Sequence, residues 1–328
     1  MDDTGRLISV AVPEEGKRRS MLVDVAARML REKPLGTFGA VIVVILLLTG
    51  ILADILAPYH YNETDPRLHL APPSAEHLLG NDNIGRDVLS RVIYGARISV
   101  IVGLSATSLS AIIAATIGTL SGYLGGKFDL VMQRFVDGWM CFPGLVLLIA
   151  AISLIGPGIW QIVIVLGILY GIGSSRIVRG AVIGIKENVY VDAAIAAGCS
   201  TPQIVRKHIL PNIMAPLIVV FSTQVPAVIM TEASLSFLGF GIPPPYPSWG
   251  GMLSGAGRTH MERAWWMMVW PGVALSVVVY GINMFGDALR DLLDPRLRGG
   301  LGRYSGARGR ARKKHIAAAG QTGGTPQG

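Results

Sequence analysis

The chain has 328 residues, 51% of them apolar and only 15% charged, with a mean hydropathy of +0.50. That composition excludes an ordinary soluble domain. The net charge of +8 matches a membrane protein with basic segments against anionic lipid, and the basic run 310–314 reads as a solvated juxtamembrane tail, not a nucleic-acid element.

Residues 1–20 are polar and are expected to be a disordered tail. From Leu22 to Leu30, Leu22, Val25, Ala26, Met29 and Leu30 recur at helical spacing against Asp24, Arg28 and Arg31. That pattern predicts an interfacial helix feeding the turn at Lys33-Pro34-Leu35-Gly36. Crossing hydrocarbon as helix takes about 20 apolar residues. Six windows qualify: 36–56, 98–120, 132–155, 159–180, 213–231 and 267–286. The first is too long for a signal-peptide core and no small-residue cleavage site follows it, so it reads as a retained anchor. The predicted class is an all-α membrane protein with six transmembrane helices. Lys and Arg orient it. Of 29, 23 fall on the side shared by both termini and six on the other, which places both termini in the cytoplasm.

Between the first two windows runs a loop of about forty residues, with Gly80-Asn81-Asp82-Asn83-Ile84-Gly85-Arg86-Asp87 and then the amphipathic stretch 88–97. The Asn/Asp/Gly cluster lacks the carboxylate spacing and terminal Glu of a calcium loop, so it reads as a turn network capping the next helix. His60, His69 and His77 share this loop, and they read as solvated side chains against the alternative of a transient nickel site. The nearest approach to a phosphate loop is 121–128. There Ser121 stands in place of the first Gly and Phe128 in place of the magnesium-binding hydroxyl, so the segment is a turn and the chain does not hydrolyse ATP by itself. Neither His-Glu-x-x-His nor Gly-x-Ser-x-Gly occurs, which argues against a membrane hydrolase.

In the third window Asp137 lies one helical turn from Arg134, and it reads as a partner of that Arg or as a carboxylate lining a gate. Pro143, Pro216 and Pro226 are expected to bend their spans. Cys141 in the third window and Cys199 in the following polar loop are too far apart to pair and read as small packing residues. That polar loop, 181–211, is the least expected part of so apolar a chain. Asp192, Ala193, Ala194, Ala197 and Gly198 are small or short and allow another protein to approach the backbone. Pro202 suits a helix start, Arg206, Lys207 and His208 add a basic end, and Pro211 is expected to break the helix before the fifth window. The segment predicts a helix–turn–helix docking surface. Glu232, at the outer end of the fifth window, either contacts substrate or a partner or snorkels to the interface. The segment 239–266 carries Pro243, Pro244, Pro245, Pro247, Tyr246 and Trp249. It reads as an interfacial loop that doubles as a docking or gating surface.

Asp192-Ala193-Ala194, three residues, Gly198, nine residues, His208, one residue and Leu210-Pro211 resemble the Glu-Ala-Ala loop of ABC importer permeases. Asp192 replaces the Glu and His208 the Ile. The stretches 77–99 (HLLGNDNIGRDVLSRVIYGARIS), 235–253 (LSFLGFGIPPPYPSWGGML), 31–40 and 286–298 are similar to the dipeptide, oligopeptide and nickel group of these permeases. The resemblance runs from about Leu30 to Arg298. It implies a type I importer fold with its permease unit at 97–290, preceded by the anchor and loop of 21–96 and followed by a basic tail at 291–328. It also implies a second permease subunit, two cytoplasmic ATPases and an external solute-binding protein. No cofactor or metal is then held by this chain, since ATP and magnesium belong to the partners. Coupling to the ATPases is expected at Asp192, Ala193, Ala194, Gly198, Leu210 and Pro211. Pathway or gate residues are expected at Asp137 and Glu232, and external docking at Pro243, Pro244, Tyr246 and Trp249. Peptide is the expected substrate, with nickel or glutathione as the alternatives. A stand-alone channel or secondary transporter is the rival class and would require inverted repeats and a midplane ion site.

Overall fold

A computed structural model describes residues 28–293. The tail at 1–20, most of the interfacial helix at 22–30 and nearly all of the basic segment after 290 lie outside the described residues. Among the described residues there is no strand, and the chain is a bundle of long helices. Five helical stretches are long and apolar enough to cross a membrane, and a bent pair supplies a sixth span. They are α1 (Pro34–Ile51), α2 (Val88–Leu124), the pair α3 (Gly126–Met140) and α4 (Gly144–Ile155), then α5 (Ile159–Lys186). A short α6 (Val189–Ala196) leads to α7 (Thr201–Ile204), which passes through a π turn (Val205–Ile209) into α8 (Leu210–Phe237). The one-turn α9 (Trp249–Leu253) precedes the last span, α10 (Trp266–Leu293).

The third predicted window is therefore corrected. Instead of one helix over 132–155, the chain bends by 86° between α3 and α4. Pro143 is the cause, because it has no N–H for the helical ladder and its ring collides with the carbonyl four residues back. Phe142 before it is also steered away from helical angles. Cys141 sits in this break and is exposed, not packed. Pro216 and Pro226, by contrast, lie inside the continuous α8. Pro211 does not break the chain either. The π turn ends with Leu210 N–H donating to the Val205 carbonyl, and Pro211, in the first turn of α8, has no N–H left to satisfy. The amphipathic stretch 88–97 is the first part of α2, whose 37 residues extend about 55 Å, well beyond a hydrocarbon layer of about 30 Å.

Small residues set how closely the spans approach. Gly118 and Gly122 of α2 face Val178 and Val182 of α5, and Gly167 and Gly171 of α5 face Leu109 and Ile113 of α2. Two four-residue glycine repeats thus bring these helices together where apolar side chains alone gain little from leaving lipid. A buried amide ties in the third helix: Ser110 Oγ donates to Gln224 Oε1 at 2.8 Å, and Gln224 Nε2 donates to Ser174 Oγ. At its far end α1 is pinned to α2 by Arg97, whose Nε donates to the Gly50 carbonyl at 2.9 Å and whose Nη2 reaches Asp54 at 2.8 Å. A guanidinium there meets the free carbonyls and negative dipole of the helix C-terminus. Hydrogen bonding from Arg97 also holds the Asp54 carboxyl below its usual range.

Candidate functional site

Two surfaces, at opposite ends of the bundle, carry the residues singled out in the sequence. The first is the hairpin between α5 and α8. Apolar Val191 and Ala194 of α6 and Ile204 and Ile209 beyond it pack against Val178 and Val182 of α5, so the hairpin is fixed to the bundle. The turn is set by Gly198, whose φ is +81°. Gly198 N–H donates to the Ile195 carbonyl at 2.9 Å and Cys199 N–H to the Ala194 carbonyl at 3.0 Å. These two bonds close the end of α6 as a Schellman motif, with Gly in the left-handed position that costs other residues steric strain. The Cys199 side chain packs in the same cluster as Ala194. Ser200 and Gln203 then form a reciprocal capping box that starts α7 at Thr201-Pro202.

Asp192, Ala193, Gly198, Leu210 and Pro211 are exposed, and with them Val189, Tyr190, Ile195 and Met214. Ala194 is corrected: it is buried inside the chain and holds α6 down instead of facing a partner. Apart from Asp192 the exposed set is small or apolar, and it sits on a hairpin whose other face packs against α5 and α8.

Above the hairpin, α3 is held to α5 by ion pairs. Arg179 Nε and Nη2 reach the two Asp129 oxygens at 2.6 and 2.5 Å, in the forked geometry that suits guanidinium and carboxylate. Ser121 Oγ donates to the same Asp129, and Lys186 Nζ donates to the Tyr123 carbonyl at 2.8 Å. Asp137 pairs with Arg134 at 3.4 Å and with Arg176. The ion-pair reading of Asp137 therefore holds, with a second partner that spacing within one helix did not reveal. Arg176 and Arg179 fall inside an apolar window, and their cost in hydrocarbon was the signal that carboxylates had to lie opposite.

The second surface is the cap formed by residues 57–87 and 238–265. Asp87 caps α2, accepting from Ser90 N and Ser90 Oγ, both at 2.7 Å, while its other oxygen meets His77 Nδ1 at 3.0 Å. The three loop histidines are not brought together. His60 lies against Tyr61, His69 Nδ1 is at 2.8 Å from the Asn83 carbonyl, and His77 belongs to the Asp87 cap.

Trp249 requires the largest correction. It is 2% exposed, its Nε1 donates to the Val92 carbonyl at 3.0 Å, and its ring lies against Gly95, where a Cβ would come within 2.7 Å. It is a wedge between α2 and α8, not a docking side chain. Burying the indole body while its N–H finds a carbonyl satisfies both halves of the residue. Pro244 and Tyr246 remain exposed, Pro243 is half-buried, and Tyr246 stacks on Tyr61 with centroids 6.0 Å apart. Glu232 does not snorkel. It is 1% exposed and accepts from Ser236 Oγ at 2.7 Å, one helical turn along α8.

Comparison with known proteins agrees with this architecture. Residues 114–299 match the family of binding-protein-dependent transport system inner membrane components, and residues 21–73 match the N-terminal transmembrane domain of oligopeptide transport permease C. A peptide transport system permease protein of Brucella suis is 40% identical over 290 residues, covering 88% of this chain and 96% of that protein. The dipeptide transport system permease protein DppC of Bacillus subtilis is 38% identical over 273 residues, covering 83% and 85%. The oligopeptide transport system permease protein OppC of Haemophilus influenzae is 37% identical over 282 residues, covering 85% and 90%. With its helical spans, its fixed hairpin and more than half its length matched by the family, the chain belongs to the binding-protein-dependent transport system inner membrane components, as a multi-pass permease subunit and not an enzyme.

Proposed function

We propose that this permease subunit forms half of a translocation pathway for dipeptides or oligopeptides, and that the α6–α7 hairpin is where force enters it. The observation that carries the coupling role is the exposed surface of Asp192, Ala193 and Gly198 on a hairpin whose other face is locked to α5 and α8. A surface that moved independently of the spans would transmit nothing. One packed onto them shifts α5 and α8 as rigid bodies when a partner pulls. Peptide as substrate is supported by the relatives, which are named for peptide, dipeptide and oligopeptide transport.

In this reading a second, similar permease supplies the other half of the pathway. Two cytoplasmic ATPases grip the hairpins, and an external solute-binding protein delivers peptide to the cap. ATP and magnesium belong to the ATPases, and this chain holds neither. Pro243, Pro244 and Tyr246 remain as contacts for the external partner. Asp137 serves as part of the charged latch between α3 and α5, and Glu232 as a buried group beneath the cap.

The reading depends on orientation, which is supported by the 23-to-6 division of basic residues. In a chain with Cys141 and Cys199 replaced, a membrane-impermeant maleimide applied to intact cells is expected to label His69→Cys and to leave Lys186→Cys untouched. Labelling of Lys186→Cys from outside would place the hairpin on the wrong side for any ATPase.

A further inference from the structure

Arg86 and Arg91 share one carboxylate, Asp82: Arg86 Nε meets Asp82 Oδ2 at 2.6 Å, and Arg91 Nε is 3.7 Å from the same oxygen. The other Asp82 oxygen accepts from the backbone N–H groups of Ile84 and Arg86, both at 3.0 Å. Arg91 Nη1 donates to the Tyr61 carbonyl at 3.0 Å. The two terminal nitrogens of Arg86 have no hydrogen-bond partner among the described residues. Arg91 is buried, its side chain 9% exposed, and Arg86 is partly buried at 14%. The terminal nitrogens of Arg86 are not sealed from solvent, so they are free to meet an acceptor that comes to them.

What they face is a cleft of about 330 Å³ between the two cap loops, lined by Arg86, Arg91, Pro157, Ser236, Tyr246 and Ser248 among others. Among the described residues no Asp or Glu lines it. Two guanidiniums at one wall, with one net positive charge, select an anion, and the free terminal fork of Arg86 has the planar geometry of a carboxylate. Tyr246 at the lip, stacked on Tyr61, offers an apolar ring beside that charge. Ser236 on the cleft wall donates to the buried Glu232 and accepts from Ile242 N–H at 3.3 Å, so the wall is held by hydrogen bonds and is not free to collapse onto the Arg side chains.

We propose that the Arg86–Arg91 cleft is a carboxylate subsite that receives the C-terminal carboxylate of a peptide as it enters the permease. The proposal rests on the peptide reading above. An acidic side chain of the binding protein has the same chemistry, and the test separates the two sources.

The assembly of both permeases, the ATPases and the binding protein is reconstituted in proteoliposomes. Initial uptake is compared for a radiolabelled dipeptide and its C-terminal amide, each at concentrations shown by calorimetry to saturate the binding protein. A charge-assisted fork predicts that wild type moves the acid roughly tenfold or more faster than the amide. Arg86→Met is expected to erase that ratio, and Arg86→Lys to keep only part of it. Should Arg86→Met fail to accumulate, Arg86→Lys alone decides, and an undiminished ratio there overturns the subsite. Equal uptake of acid and amide by wild type overturns it while leaving the peptide reading intact. A loss in Arg86→Met that is equal for both substrates assigns the guanidinium to the binding protein or to the fold and also overturns it. Absence of uptake of either peptide by wild type removes the peptide reading and the subsite together.

Discussion

Replacing Gly198 by Leu is expected to abolish uptake by the assembled transporter while leaving the helical bundle inserted. Two effects combine at this position. The first is conformational: φ is +81°, and a side chain in the left-handed region costs about 1–2 kcal/mol. That strain falls on the Schellman turn that ends α6, far from the spans. The second is steric. Among the described residues nothing lies within 4 Å of a Cβ built there, so a side chain at this position points away from the fold, toward the proposed partner. Gly198→Ala carries nearly the same backbone strain with little bulk. ATPase subunits are expected to co-purify with wild type, in reduced amount with Gly198→Ala, and not with Gly198→Leu. Equal recovery with Gly198→Leu would mean that the hairpin is not the docking surface.

The second large effect is at Trp249, where Ala is expected to destabilise the fold by about 3–5 kcal/mol, the usual cost of emptying a buried aromatic site. The indole fills the gap over Gly95, and its Nε1 satisfies the Val92 carbonyl, so its removal loosens α9 from α2 and frees the cap. A markedly lower unfolding temperature of the detergent-purified protein, with reduced folded yield, is the expected result. Tyr246→Ala, at an exposed position, is expected to leave the unfolding temperature within error of wild type. An unchanged melting curve for Trp249→Ala together with weakened binding-protein stimulation would restore Trp249 to a docking role.

That pair of aromatics shows where the sequence was readable and where it was not. Apolar windows of about 20 residues are dictated by hydrocarbon thickness, so the spans were visible one residue at a time. Gly198 was visible for a similar reason, since a lone Gly between short helical patterns marks a left-handed turn. The bend at Pro143 was harder. Pro216 and Pro226 give the same local signal yet remain inside α8, because neighbours and local adjustments decide whether a helix accommodates its proline. Trp249 and Tyr246 are three residues apart in a loop whose composition suits an interface. Only the position of Gly95, more than 150 residues earlier, determines which of them is buried. The pairing of Arg179 with Asp129 is likewise a long-range fact. The requirement for a carboxylate partner was readable from an Arg in an apolar window, but its identity was not.

We expect this chain to transport only as part of an assembly, with its hairpin as the point of coupling. The direct measurement is ATP-dependent peptide uptake in proteoliposomes, with and without the second permease, the ATPases and the binding protein. The chain alone is expected to show neither ATP hydrolysis nor peptide flux, and the complete assembly to show both, with uptake lost when the ATPases are omitted. Sustained peptide uptake by the chain alone, driven by an ion gradient, would instead make the protein a secondary transporter.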